Sequence, residues 1–236
     1  YHSAIEDFFD TINTNNIKWA DLDDKKSENI INDSIEKVME QYENDALNDI
    51  ARSAFIKKQV KDTSTETVNA LVKHIRSGNF LPREYELRIA HGRVDRVDTF
   101  EDGNNIYVKV IDYKSGNKVF NVTETFLGLQ MQLMVYLKDT VDYIKKNNPD
   151  KNVYPAAGLY FHVYDPYVSE IDCEKAVSDF RKNNPDSELS DEELKKMAIE
   201  GERFKAYRMS GLVAKEIEIV NAMDHNTITK TGSSAI

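Results

Sequence analysis

The chain has 236 residues, of which 40% are hydrophobic and 31% charged, with a formal net charge of −10. This composition predicts a globular protein with a core of ordinary size, and no apolar run approaches the ~20 residues that a membrane helix needs. The acidity is uneven, because residues 1–50 hold 13 acidic against 4 basic residues, whereas residues 73–96 hold six basic against three acidic ones. The net charge therefore argues against a protein that coats DNA purely by electrostatics, but leaves room for a local phosphate-binding surface.

The single cysteine, Cys173, excludes an internal disulfide framework and a metal cluster built from cysteines of this chain alone. A reducing compartment is expected, which here means the cytoplasm. The opening YHSAIEDFF has neither a basic start nor a small-residue cleavage site, so no signal peptide is predicted. Because the chain begins without Met and ends on TITKTGSSAI, we interpret it as part of a longer protein.

The predicted elements follow in chain order. Apolar spacing predicts three helices, over residues 1–14, 27–46 and about 50–77. Three strands are then predicted, at 80–90, 92–100 and 105–114. A long helix over 123–148, with Thr123 or Thr125 as its N-cap, precedes a fourth strand that is stopped by Asp165-Pro166. The remaining residues are predicted to be helical.

This order predicts the fold class. Three consecutive strands with short connections form an antiparallel meander, and a helix that crosses over to a fourth strand gives a mixed α/β sheet of order αβββαβ with flanking helices. We expect one domain over residues 1–236. Its parts are N-terminal helices at 1–79, a core sheet and helix at 80–168, and a helical appendage at 169–236.

The hairpin GRVDRVDTFEDGNNIYVKVIDYKSG places charged residues among valines and isoleucines. If Gly103-Asn104 forms a two-residue turn, Asp95 lies directly opposite Asp112, with Cβ atoms ~4.5–5.5 Å apart. If the turn is centred on Asp102-Gly103 instead, the two acids become diagonal neighbours on the same face. Either register predicts a pair of carboxylates on one side of the sheet.

Two carboxylates this close repel each other unless one is protonated or a cation lies between them. Oxygen ligands of this type favour Mg²⁺, Mn²⁺ or Ca²⁺. Lys114 lies on the same strand face as Asp112 and can orient or deprotonate water, so the group suits metal-assisted phosphodiester hydrolysis. From the residues alone, an exposed edge ladder of salt bridges remains an alternative. A structural Ca²⁺ site is disfavoured, because Lys114 would intrude on it.

Three motifs, GRVDRVD, VIDYKSG and GLQMQLMVY, together resemble the RecB-type nucleases of the PD-(D/E)XK superfamily. The sequence is most similar to the C-terminal nuclease domain of AddB/RexB-type subunits of bacterial ATP-dependent helicase–nucleases. The likeness covers most of the chain, from YHSAIEDFF through FLPREYE to YPAAGLYFHVYDP and FKAYRMSGLV. It implies a restriction-endonuclease-like core and a DNA (exo)nuclease that uses Mg²⁺, with Mn²⁺ as a substitute, and leaves the preference between exonuclease and endonuclease cleavage open.

The resemblance also implies roles for individual residues. Asp95 and Asp112 match metal-binding acids, Lys114 matches the catalytic lysine, and the backbone carbonyl of Tyr113 is the expected extra ligand. His2 matches the histidine that completes the metal shell. The remaining assignments are those of the Gln-x-x-x-Tyr motif, which supports the site and contacts DNA: Gln132 and Tyr136.

Two pairs of neighbours keep open assignments. Glu86 is a candidate for an acid that supports the metal ligands, but Glu84 competes with it and either fits a plain strand surface. Arg93 and Arg96 fit phosphate contacts as well as neutralisation of the neighbouring acids, so neither is assigned a role.

The resemblance further implies DNA as the substrate, a motor subunit of the AddA/RexA type as partner, and action in double-strand-break repair and recombination. Many such proteins hold an iron–sulfur cluster on four cysteines, and Cys173 matches none of those positions, so no cluster is expected from this chain. No Walker-type motif is present to indicate ATP binding. The alternatives are a docking module with a decayed site, a phage-type exonuclease and a restriction-like endonuclease.

Overall fold

The computed structural model describes residues 1–43, 50–116 and 120–224, and of residues 41–54 no side chain is described. The described chain divides into two compact units. The larger is built from residues 1–164 together with residues from 209 onward, and the smaller is Asp165–Arg208. Among the described helices, none combines the length and the apolar character needed to cross a bilayer.

The larger unit begins with three helices, α1 (His2–Thr14), α2 (Asp24–Glu43) and α3 (Ile50–Ser77). Three strands follow, β1 (Leu81–Ile89), β2 (Gly92–Asp102) and β3 (Asn105–Lys114). The short α4 (Val122–Phe126), the longer α5 (Gln132–Asn147) and β4 (Asn152–His162) complete the central part. The predicted helices and strands up to β3 are confirmed within a few residues; the end of the predicted helix 27–46 lies outside the described residues.

The strands form one sheet in the order β1-β2-β3-β4-β5, where β5 is a short strand near the end of the chain. β1, β2 and β3 pair antiparallel, and β4 pairs with β3 in parallel after the crossover through α5. In the hairpin, Asp102 lies opposite Asn105 and Arg96 opposite Ile111. The turn is therefore Gly103-Asn104, as the first of the two predicted registers requires, and the predicted mixed αβββαβ core is confirmed.

Each face of the sheet buries an apolar layer. On one face α5 packs over a cluster that includes Val97, Val108, Val110 and Ile144. On the other face α1 brings Phe9 onto Tyr85, with ring centroids 4.6 Å apart. The two faces are covered by different helices, so a side chain's face decides which helix it meets.

The predicted helix over 123–148 is wrong in its first part. The structure has two helices there, α4 and α5, separated at Gly128, whose φ is +80°. A left-handed residue of this kind ends a helix, and glycine adopts it without steric cost. The N-cap is Asn121, whose side chain accepts a hydrogen bond from the Glu124 N–H, rather than Thr123 or Thr125.

The helical prediction after residue 169 also needs correction. The smaller unit is helical, with α6 (Glu170–Asn183) and α7 (Asp191–Ala206), and Ser190 caps α7 through a reciprocal capping box with Glu193. The segment that follows is instead β5 (Ser210–Val213), antiparallel to β4, before a short α8 (Ile217–Ala222). This segment is a strand because its backbone pairs with β4. Its four residues are too few to show an alternating hydrophobic pattern.

Candidate metal centre

The regular alternation of side chains breaks in β1 at Glu86. Tyr85 packs against Phe9 on the α1 face, whereas Leu87 joins the apolar cluster on the α5 face. Between them, Glu86 has a φ of +49°, which is uncommon for any residue except glycine. The backbone irregularity thus turns the Glu86 side chain away from the position that a regular strand would give it.

A matching break occurs in β2 at Asp95. Val94 and Val97 both belong to the cluster under α5, although residues three apart in a regular strand face opposite sides. Glu86 and Asp95 lie between two regular pairs, Tyr85 with Arg96 and Leu87 with Val94. The two acids are therefore brought side by side where the ladder is interrupted.

His2, at the start of α1, joins these two acids. One ligand atom from each of His2, Glu86 and Asp95 lies within 4.8 Å of the others. The His2 ring also meets the Tyr113 ring edge-on, with centroids 5.9 Å apart. The sequence motifs predicted His2 and Asp95 as ligands, but left Glu86 only as a candidate supporting acid.

The electrostatics of the group favour a cation. Burial raises the pKa of Asp95, and the nearby Asp112 charge raises it further, while the Tyr113 N–H, His2 and Lys114 act in the opposite direction. Burial likewise raises the pKa of Glu86, with a further contribution from Asp95, against Arg93. Both carboxylates are thus harder to ionise than ordinary ones, and a bound dication would relieve the repulsion between them.

Asp95 and Asp112 are linked through β3. The Tyr113 N–H donates a hydrogen bond of 2.6 Å to Asp95 Oδ2, which ties Asp95 to the residue next to Asp112. Asp112 itself is buried, and its Oδ2 forms an ion pair with Lys114 Nζ. Within the part of the chain that the structure describes, this oxygen accepts no well-directed hydrogen bond. Whether the two acids share one cation stays a prediction.

The predicted Gln-x-x-x-Tyr pair meets Lys114 from α5. Lys114 Nζ lies 3.3 Å from Gln132 Oε1, and the Gln132 amide donates a 3.0 Å hydrogen bond to the Tyr136 hydroxyl. A continuous polar chain therefore runs from Asp112 through Lys114 and Gln132 to Tyr136. The structure thus joins four of the predicted side chains in one polar chain, and places the other two, His2 and Asp95, in the group with Glu86.

A buried ionic cluster lies behind the site, on the opposite face of the sheet. Arg96 donates bidentate hydrogen bonds of 2.6 and 2.7 Å to Asp98, and Lys109 Nζ lies 2.9 Å from the same carboxylate. Burial alone would raise the pKa of Asp98, but the charges of Arg96 and Lys109 outweigh it and lower that pKa. Arg96 thus neutralises a neighbouring acid, whereas Arg93 forms an ion pair with Glu86.

The residues fit a divalent cation of the hard, oxygen-binding type. Two carboxylates and an imidazole converge within one coordination shell's reach, and a third carboxylate, Asp112, adjoins them with a buried oxygen. Of these side chains, only the histidine supplies nitrogen, which Mg²⁺ and Mn²⁺ sites accept beside oxygen ligands. The donor set therefore fits a divalent metal held by carboxylate oxygens and an imidazole, and not a metal held by thiolates.

Gly92, at the start of β2, lies so close to Tyr136 that a side chain at this position would displace the Tyr136 ring. A Cβ at residue 92 would lie 2.9 Å from the Tyr136 hydroxyl, and the residue has a φ of +151°. We expect Gly92→Ala to displace Tyr136 and its hydrogen bond with Gln132, and to cost roughly 1 kcal/mol or more of stability. Thermal unfolding and the mobility of the Tyr136 ring by NMR measure the two effects.

Gly116→Ala is the matched control, since nothing lies within 4 Å of a Cβ there. An unchanged Tyr136 environment in Gly92→Ala would contradict the close packing of these two residues.

Comparison with known proteins agrees with this architecture. The family model described as the PD-(D/E)XK nuclease superfamily matches residues 1–223. The chain belongs to the PD-(D/E)XK nuclease superfamily, as the motifs predicted.

Its relatives include proteins named as the B subunit of an ATP-dependent helicase/deoxyribonuclease. The one from Clostridioides difficile (strain 630) is 30% identical over 96% of this chain and 20% of its own length. The one from Lachnoclostridium phytofermentans is 31% identical over 75% of this chain and 17% of its own length, and that from Exiguobacterium sibiricum is 28% identical over 95% and 19%. The chain spans about a fifth of the length of these curated relatives.

Proposed function

We propose that this chain is a Mg²⁺-dependent DNA exonuclease domain, with Mn²⁺ as a substitute. The observation that carries the proposal is the meeting of His2, Glu86 and Asp95 beside the Asp112–Lys114 ion pair, in a chain of the PD-(D/E)XK nuclease superfamily. A nuclease of this kind needs acids for a cation and a nearby ammonium for the phosphate. Both are supplied here by adjoining elements of one rigid sheet.

The proposed ligands are His2, Asp95, Asp112 and the backbone carbonyl of Tyr113, to which the geometry adds Glu86. When bound, the cation supplies Lewis-acid polarisation of a phosphate oxygen and lowers the pKa of bound water. The chain's own contribution is to hold these donors in place before DNA arrives. The hydrogen bond from the Tyr113 N–H to Asp95 holds a donor on β2 and the neighbouring backbone of β3 in fixed positions.

Lys114 acts at the phosphate in this proposal. Its ammonium is fixed between the Asp112 carboxylate and the Gln132 amide oxygen, so it can donate a hydrogen bond to the attacking water or to the charge that develops on the phosphate oxygens. Gln132 and Tyr136 hold Lys114 and contact DNA. These roles also match the family's motif, residue by residue.

The setting of the reaction is proposed from the relatives. They are named as B subunits of a helicase/deoxyribonuclease, so we infer that the chain, as a single nuclease domain over residues 1–236, serves a helicase–nuclease in the cytoplasm. A motor partner of the AddA/RexA type would feed single-stranded DNA to the site during double-strand-break repair and recombination. No iron–sulfur cluster is proposed for this chain, which holds only Cys173.

The direct test is hydrolysis of end-labelled single-stranded DNA with Mg²⁺, with Mn²⁺ and with EDTA. The proposal predicts cleavage with either cation and none with EDTA. Binding without cleavage would favour a docking module with a decayed site. Substrates with blocked ends separate two kinds of nuclease, because an exonuclease spares them, whereas a restriction-like endonuclease cuts them internally.

Glu86→Gln tests the ligand that the sequence motifs did not assign. Because it removes one negative charge from the group, we expect the affinity for Mn²⁺ to fall by at least about 10-fold, measured by calorimetric titration or by electron paramagnetic resonance of free Mn²⁺.

Glu84→Gln is the matched control, since it changes an acid on the same strand, two residues away. Equal Mn²⁺ affinities for the wild type and both variants would remove Glu86 from the metal shell.

A further inference from the structure

Tyr160 lies on β4 directly beside the catalytic strand. In the parallel register it is paired with Asp112, and its neighbour His162 is paired with Lys114. Tyr160 is fully buried. Because residues paired in register share a face of the sheet, its ring lies on the face of Asp112 and Lys114, below α5.

The ring faces the Lys114 ammonium. Lys114 Nζ lies over the Tyr160 ring, 5.4 Å from its centroid, within the distance at which the negative face of an aromatic ring attracts a cation. The ammonium thus meets a carboxylate, an amide oxygen and a ring face, from Asp112, Gln132 and Tyr160.

The three contacts differ in what they fix. Asp112 and Gln132 draw the ammonium toward particular oxygens, and a bound cation would compete with the ammonium for the Asp112 carboxylate. The Tyr160 ring offers a face rather than a single oxygen, and it packs near Phe120, whose ring centroid lies 6.4 Å away. Of the three contacts, the one with Tyr160 involves no group that a cation would bind, so we expect it to persist while Asp112 engages a cation.

We propose that Tyr160 is a positioning residue for Lys114, whose ring face holds the ammonium in place when Asp112 turns to the metal. The inference rests on the proposed function, and adds to it a residue outside the recognised motifs. The attraction between the ring face and the ammonium is electrostatic. A leucine at position 160 would fill part of the space of the ring but would not attract the ammonium. The Tyr160 hydroxyl takes no part in this contact, so a phenylalanine at position 160 would preserve the contact.

The first test compares Tyr160→Leu with Tyr160→Phe in DNA cleavage. We expect the leucine variant to lower kcat by roughly 2- to 30-fold, the range of a cation–ring contact. KM and the Mg²⁺ concentration for half-maximal rate should be unchanged, and phenylalanine should recover most of the rate.

Tyr107→Leu is the control, because it removes another buried ring from the same sheet, one that stacks on Phe100. A change confined to KM, a shifted Mg²⁺ requirement, or an equal kcat loss in Tyr107→Leu would overturn the proposal.

If Tyr160→Leu folds poorly, a series of fluorinated phenylalanines at position 160 tests the same contact without changing the shape of the side chain. Fluorination weakens the negative face of the ring while keeping its shape, so we expect kcat to fall stepwise with each added fluorine. A flat series would overturn the proposal.

The second test reads the contact without any reaction. The ε-protons of Lys114, assigned by comparison with Lys114→Arg, should show an upfield ring-current shift in the wild type and in Tyr160→Phe, and lose it in Tyr160→Leu. If the shift is present but no Mg²⁺-dependent cleavage occurs, the positioning contact stands and the proposed function fails. If cleavage occurs without the shift, the positioning proposal fails alone.

Discussion

Replacing Asp112 by Asn should lower the rate of Mg²⁺-dependent DNA cleavage by on the order of 10²–10³-fold or more, the scale of losing one preorganised electrostatic group in an active site. The substitution keeps the size of the side chain but removes its charge, and with it both a proposed metal ligand and the ion-pair partner of Lys114. We expect the loss to appear in kcat and in the Mg²⁺ requirement together. Initial rates on end-labelled DNA over a range of Mg²⁺ concentrations measure both.

Asp142→Asn provides the control for this prediction. Asp142 is an exposed acid on α5, and its charge is paired with Lys138 on the same helix. Its replacement should leave cleavage within about twofold, because an exposed pair of this type contributes little. If Asp112→Asn and Asp142→Asn cleave DNA equally fast, Asp112 has no part in the reaction.

Replacing Arg96 by Ala should destabilise the fold by about 3–5 kcal/mol, the usual cost of breaking a buried ion pair from one side. Arg96 and Asp98 have no exposed side-chain surface, so among the described residues the Asp98 carboxylate would keep only Lys109 as a charge partner. The guanidinium also lies over the Phe9 ring, 5.2 Å from its centroid, so the variant loosens α1, which carries His2. Urea unfolding followed by circular dichroism measures the change in free energy.

Arg83→Ala is the matched control for Arg96. Arg83 forms a partly exposed 3.6 Å pair with Glu101 on the same sheet, and we expect its loss to cost no more than about 1 kcal/mol. A similarly small cost for Arg96→Ala would mean that the Arg96–Asp98–Lys109 cluster does not stabilise the sheet.

The register of the hairpin was predictable only to within two choices, because turns at Gly103-Asn104 and at Asp102-Gly103 both fit the sequence. In either register, the alternation of side chains along a regular strand fixes the face of each residue. The same alternation put Asp112 and Lys114 on one face, and a spacing of four put Gln132 and Tyr136 on one side of a helix. The structure has these residues in one polar chain, so the geometry of that part of the site followed from local rules.

Glu86 escaped those rules for a physical reason. Its place in the site depends on a positive φ within β1 and on a break in the alternation of β2, and no residue pattern in EYEL signals either. Arg96 shows the converse case, since a charged residue in a strand suggests exposure, yet here it is fully buried against Asp98. Irregular backbone and paired buried charges both depend on tertiary partners.

The missed strand β5 has a similar cause. A Cβ on Gly211 would lie 2.1 Å from the Gly158 carbonyl oxygen, so the pairing with β4 requires a residue without a side chain. The sequence SGLV shows the glycine but not the strand that approaches it, and a four-residue strand has no room for a periodic pattern. Pairing with a distant neighbour, rather than local preference, makes this segment a strand.

We propose that His2, Glu86, Asp95 and Asp112 surround one divalent-cation site beside Lys114. Crystals soaked in Mn²⁺, measured near the manganese absorption edge, test this claim most directly through the anomalous difference map. We expect a peak bordered by the carboxylates of Asp95 and Asp112 and by the His2 ring. A map at saturating Mn²⁺ with no peak between these side chains would contradict it.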